Sequence, residues 1–263
     1  PNAVVDRCSA GWRWTRTDFL ITLQDRKGDL MTKEVSQKAR RSFLSHMGIG
    51  AVVVAGVGAG LAAARPAVAQ TNAFKPRRHK EDAWMDAPNA AHRIVIDSAF
   101  PAGAGAALLY ANNNFLANKS GYGLETQDIA VIVVLRHLST PFAYTDAIWA
   151  KYGEALSDAI DFKNPATKAA PTTNLYNSGG AGMGLANRGV TIASLVEKNV
   201  QFAVCNSATR VLANAAAQRT KGDAETVYQE FVANLVPNSH LSAAGVVAVN
   251  RAQEYGYTLL TAV

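Results

Sequence analysis

From residue 92 onward, short apolar runs alternate with longer segments whose apolar positions recur at helical spacing. RIVIDSA at 93–99 is β-branched and closes on Asp97 and Ser98, the pattern of a strand. After Pro101 the chain turns helix-like, with Leu108, Leu109, Phe115 and Leu116 as apolar positions. DIAVIVVLRH at 128–137 is the most hydrophobic run in this part of the chain, so it predicts a central strand buried on both faces. Residues 140–159 predict a helix with Pro141 at its start and Phe142, Ile148, Trp149, Tyr152 and Leu156 on its inner face.

Residues 161–184 are rich in Pro, Asn and Gly and predict a long loop. A short helix at 191–199 then leads into a strand at 201–205, and SATRVLANAAAQRT returns to helix. Residues 224–236 predict a helix, 239–244 a short strand, GVVAVNRAQEYGY a helix and TLLTAV a closing strand. Strands and helices alternating with crossovers of this length predict an α/β single domain, a mainly parallel sheet with helices on both faces.

Residues 39–70 follow a different rule. Arg40 and Arg41 precede an apolar run from Met47 to Ala64 that is rich in Gly and Ala, and the small-residue triplet Ala67-Val68-Ala69 ends it. That composition is weakly hydrophobic and poorly helical, which favours a cleaved signal peptide over a retained anchor. Arg40-Arg41 with Phe43 and Leu44 resembles the twin-arginine export signal, whose cargo crosses the membrane folded. A chance arginine pair before a buried helix is the competing reading. The segment division that follows is an upstream extension without order over 1–30, a signal at 31–69 opening on Met31, a linker at 70–91 and the folded domain at 92–263.

Charge changes meaning once the chain is divided. The formal charge of +6 and pI of 9.4 suggest an anionic partner for the chain as a whole. Residues 1–69 hold 10 of the 26 Lys and Arg and 5 of the 20 Asp and Glu, which leaves 16 against 15 beyond the cleavage point. Nucleic acid is therefore not an expected partner, and KPRRHK at 75–80 reads as a solvated linker beside Pro76 and Pro88. Cleavage after Ala69 places the domain in the periplasm with no permanent membrane span and with the twin-arginine translocase as its export partner. It also removes Cys8, leaving Cys205 as the one thiol.

Open α/β sheets bind ligands beyond the carboxyl ends of their strands. Those ends carry Asp97 and Ser98, then Arg136 and His137, then Cys205, Asn206 and Ser207. Cys205 stands where a strand turns into a helix, and the positive end of a helix dipole favours a thiolate, hence nucleophilic attack or sulfur transfer. Arg136 and His137 are candidate helpers. A buried cysteine acting as a small apolar filler is the competing reading. His92 and His240 fall at strand beginnings, and the spacing of histidines gives no metal site.

Two Gly-rich stretches fail the nucleotide test. PAGAGAALL has Leu108 where a dinucleotide loop needs its third Gly or Ala, and NSGGAGMGLANRG at 177–189 lacks the Lys-Ser/Thr of a phosphate loop. No cofactor is expected. The motifs Gly-x-Ser-x-Gly, His-Glu-x-x-His and Cys-x-x-Cys are absent from the sequence.

The order of VIVVLRH, then SLVEKNVQFAVCNSA, then LSAAGVVAVNRAQEYGYTLL resembles the DsrE/DsrF-like family of small α/β proteins over most of residues 92–263. The resemblance implies a flavodoxin-like parallel sheet, a homo-oligomer such as a trimer, and relay of sulfur as a persulfide on Cys205, with His137 near a family histidine. Leu138 stands where that family usually has Gly, and the 161–190 loop is long for it. The family's relay members are cytoplasmic, whereas this chain carries an export signal.

Overall fold

A computed structural model describes residues 74–177 and 184–263 of the chain. The candidate signal residues Arg40, Arg41, Phe43, Leu44, Ala67 and Ala69, the upstream stretch and Cys8 lie outside the described residues.

Among the described residues five strands form one sheet: β1 His92–Ser98, β2 Ile129–Leu135, β3 Gln201–Cys205, β4 Ser239–Ser242 and β5 Thr258–Ala262. Their spatial order is β4-β3-β2-β1-β5 and all four pairings are parallel. Among the described residues six α-helices connect them: α1 Pro101–Tyr122, α2 Asp146–Ile160, α3 Ile192–Val196, α4 Asn206–Thr220, α5 Ala224–Ala233 and α6 Gly245–Glu254. The flavodoxin-like α/β architecture holds, and β2 is the central strand, with all its residues but Ala130 buried.

Alternation along the strands divides the core in two. Ile96, Val131, Val133, Leu135, Phe202 and Val204 point to one face, where α1, α2, α4 and α5 cover them. Val95, Ile132, Val134 and Ala203 point to the other, where Ala248 and Ala252 of α6 meet them. Chain direction accounts for this asymmetry. The connections from β1 through β4 all step the same way across the sheet, so right-handed crossovers put their helices on one face. Only the last connection steps back, from β4 past β1, and it carries α6 to the opposite face.

The thin face has a second cover that the linker reading missed. Residues Lys80–Met85 form a 3₁₀ turn, Met85 is fully buried, and Trp84 stacks on His240 with ring centroids 4.1 Å apart. Tyr257 Oη donates to the Met85 carbonyl at 3.0 Å, and burial pushes that phenol up to about 12. Within KPRRHK, the Arg78 guanidinium lies 3.6 Å over the Tyr255 ring. Apolar and aromatic side chains spaced too closely for a periodic signal anchor this stretch to the sheet.

The helix predicted over 140–159 is two elements. His137–Ala143 forms a 3₁₀ turn that contains Pro141, and α2 begins at Asp146. Trp149 Nε1 donates to the Pro141 carbonyl at 3.0 Å, which locks the turn to the helix. The long loop is held rather than loose where it is described: Asn174 Nδ2 donates to the carbonyls of Phe142 and Tyr144, both at 2.8 Å. In the PAGAGAALL stretch, a Cβ on Gly103 would lie 2.6 Å from the Ala262 carbonyl oxygen, so that glycine lets α1 press against β5.

Among the described residues, no helix is long and apolar enough to cross a membrane.

Candidate functional site

Reversal of the chain places adjacent connections on opposite faces of the sheet at one point. The loop after β3 enters α4 on the thick face, and the loop after β4 enters α6 on the thin face, so the crevice of an open α/β sheet falls between β3 and β4. The register pairs Cys205 with Ser242 there. A cleft of about 450 Å³ opens at this point, with Arg136, His137 and Leu138 after β2, Cys205 and Ser207 after β3, and Ala244, Gly245 and Val246 after β4 around it.

Cys205 is both the last residue of β3 and the N-cap of α4. Its Sγ accepts the backbone N–H of Ala208 at 3.4 Å, the position that Ser, Thr, Asp or Asn oxygens usually fill. The residue is 7% exposed, at the floor of the cleft. Behind it, Thr209 Oγ1 donates to the Cys205 carbonyl at 3.0 Å and Tyr144 Oη donates to Thr209 Oγ1 at 3.1 Å. Tyr144 is fully buried, and that burial raises its pKa far above the ordinary phenol range, so it stays neutral.

Arg136 is engaged by a carboxylate. Its Nε donates to Asp97 Oδ1 at 2.7 Å and its Nη2 to Asp97 Oδ2 at 2.8 Å, a two-pronged pair joining the ends of β1 and β2. The hydrogen bond to Asp97 raises the arginine pKa above its ordinary value, burial opposes that rise, and the Coulombic attraction of Asp97 adds to it. Gly245 at the start of α6 packs against the Arg136 side chain, where a Cβ would collide with Arg136 Cβ. The guanidinium therefore stays beside the cleft as half of a neutral pair.

His137 is exposed at the mouth of the same cleft, in left-handed backbone with φ 54°, and its ring meets Phe100 edge-on at 5.8 Å. Ser207 Oγ donates to the Ala243 carbonyl at 3.0 Å and ties the start of α4 to the β4–α6 loop. Asn206 instead accepts a hydrogen bond from Tyr228 Oη at 2.8 Å, toward α5. Ser98 is fully buried and donates to the Val134 carbonyl at 2.7 Å. The structure thus brings Cys205, His137, Arg136 and Ser207 to one cleft, links Asp97 to it through Arg136, and turns Asn206 and Ser98 elsewhere.

Several contributors were not read from the sequence. Val211 on α4 and Val246 on α6 are 68% and 62% exposed at the rim, and Leu138 and Leu212 extend the apolar wall inward. On single helices Val211 and Val246 look like ordinary solvent-facing positions, and the β3/β4 reversal brings them to the same cleft. Thr209 and Tyr144 had no signal beyond their residue types.

A second cleft of about 600 Å³ opens at the amino ends of the strands, beside Trp84, Asp86, Gln201 and Tyr257, and holds no thiol. Among the described residues, no group of three or more His, Cys, Asp or Glu side chains is placed to hold a metal ion. Comparison with known proteins found no matching family model, no similar curated protein and no similar solved structure.

Proposed function

We propose that this domain handles thiols or sulfane sulfur through Cys205, as a DsrE-like protein exported by the twin-arginine route to the periplasm. The observation that carries the reading is the placement of Sγ: in the crevice between β3 and β4, against an amide N–H at the start of a 15-residue helix. Hydrogen bonds to an ionised acceptor are stronger than those to a neutral one, so the Ala208 N–H supports the form of sulfur that attacks.

The step is thiolate exchange. Cys205 Sγ, as thiolate, attacks the outer sulfur of a persulfide donor; the donor's S–S bond breaks, its inner sulfur leaves as a thiolate, and a new S–S bond stands on Cys205. Electrons and sulfur oxidation states are conserved across the two partners, and the proton lost from Cys205 goes to solvent or to exposed His137. A second thiolate attacking the outer sulfur carries it onward by the same exchange.

A second reading has its own observation. At 7% exposure, with its sulfur serving as an N-cap, Cys205 also fits a structural cysteine in a non-catalytic oligomeric binding module. The two part in one experiment on the chain carrying Cys8→Ser, in which Cys205 is the remaining thiol. Incubation with a sulfane donor should add the mass of one sulfur atom, and Cys205→Ser should abolish the gain. A folded protein that gains no sulfur at Cys205 overturns the transfer reading in favour of the structural one.

A further inference from the structure

We infer that the Cys205 cleft selects uncharged, apolar thiols and disulfides over anionic ones, and that Asp97 sets this preference by holding the charge of Arg136. The inference rests on the thiol-handling reading above and names its substrate class.

Three observations converge. The cleft has about 450 Å³ of space, within the range of small-molecule sites, which are mostly apolar with a few placed polar groups. Its rim and wall are Val211, Val246, Leu138 and Leu212, two of them strongly exposed although valine gains nothing from facing water. The cationic side chain lining it, Arg136, is bonded by two hydrogen bonds to a carboxylate that is itself 9% exposed. A guanidinium with an empty fork would be a natural seat for a sulfonate, thiosulfate or carboxylate. With Asp97 in the fork, an incoming anion must displace a buried carboxylate, whereas an apolar group meets apolar walls. Asp97 does not line the cleft; it acts through Arg136.

The test uses methanethiosulfonates that differ only in the transferred group: benzyl, sulfonatoethyl and trimethylammonioethyl. In each case the Cys205 thiolate attacks the sulfenyl sulfur, the reagent's S–S bond breaks, methanesulfinate leaves with the electron pair, and a mixed disulfide forms. Rates are measured by intact mass on the folded Cys8→Ser chain and divided by the rate for the same chain unfolded in denaturant. After that correction the benzyl reagent should lead both charged ones by about tenfold, the order expected for burying one aromatic ring. Asp97→Asn should raise the sulfonatoethyl rate relative to benzyl by several-fold and lower the trimethylammonioethyl rate, a split that general loosening of the fold would not produce. Should Asp97→Asn fail to fold, Val246→Lys at the exposed rim tests the same wall and should narrow the benzyl lead over the anionic reagent.

Equal corrected rates for all three reagents overturn the apolar preference and leave the thiol reading standing. A sulfonatoethyl lead in the unsubstituted protein overturns it too, and shows that an anion opens the Asp97–Arg136 pair. Reaction with none of the three while the protein is folded removes the thiol-handling reading itself.

Discussion

The two faces of the sheet are built to different depths. On one side α1, α2, α4 and α5 bury Phe142, Trp149, Phe202 and Phe231 in a continuous aromatic and aliphatic core. On the other, Ala248 and Ala252 of a single ten-residue helix and the turn carrying Met85 cover Val95, Ile132, Val134 and Ala203. Both faces come from the same strands with the same β-branched alternation. The difference is the number of crossovers each receives, and the cleft with Cys205 sits on the seam where the count changes. A deep layer gives the strand ends a fixed frame, while the shallow layer leaves the end of α6 free to border a crevice.

The largest break in this comparison should come from the deep side. Phe142→Ala removes a fully buried ring packed against Trp149, Phe162 and Tyr176 and should cost about 3–5 kcal/mol in urea unfolding. Met85→Ala on the shallow side should cost less, about 2 kcal/mol, and should raise amide exchange in the 80–85 turn and α6 before it does so in β2. A Met85 variant as damaging as the Phe142 one, with exchange rising everywhere together, would show that the two layers are a single cooperative unit.

A pH series sharpens the same contrast. Burial lowers the pKa of His240 from its ordinary 6.5, and its ring stacks on Trp84 while one nitrogen meets Gln201 Oε1 at 2.8 Å. The folded state prefers the neutral ring, so the unfolded chain binds more protons as the pH falls below 6.5. The contribution of His240 to stability is whole above pH 6.5 and drains away as the pH drops through the lowered folded value. Urea midpoints followed from pH 7.5 downward should show a decline that His240→Gln reduces; an unchanged slope in that variant would remove His240 from the account.

The smallest expected effect lies at the seam. Cys205→Ala deletes one N-cap acceptor and should cost about 1 kcal/mol, whereas Cys205→Ser, which keeps an acceptor, should cost less. Thermal unfolding of the two variants gives the order. A loss of about 3 kcal/mol or more in both would instead mark Cys205 as a packing residue and favour the structural reading.

Much of the strand content was legible because burial on both faces leaves a plain record: DIAVIVVLRH could be little else than a central strand, and it is β2. The corner at Cys205 was legible for the same reason, an apolar run meeting helix-forming residues with Asn and Ser between. What stayed hidden depends on strand order. Asp97 and Arg136 are far apart in sequence and meet because β1 and β2 lie side by side with their carboxyl ends level. Met85 and Trp84 were hidden for a different cause, since one turn of chain is too short to show a period. The 140–159 segment was misread because Pro141 and the aromatic positions around it satisfy the helix pattern equally well from a 3₁₀ turn.

Strand β1 has neighbours of very different origin. On one flank is β2, reached after a single helix; on the other is β5, with Ile94 opposite Thr258. Contacts between distant residues form late, because a large loop must close before they contribute. While the chain assembles, β1 therefore carries a bare row of amide and carbonyl groups beside Val95 and Ile96, and until β5 arrives that row is open to a strand from another molecule. Strand β5 covers that row and becomes the edge in its place, so the open side of the sheet passes from β1 to a five-residue strand on which Leu259 and Leu260 are exposed.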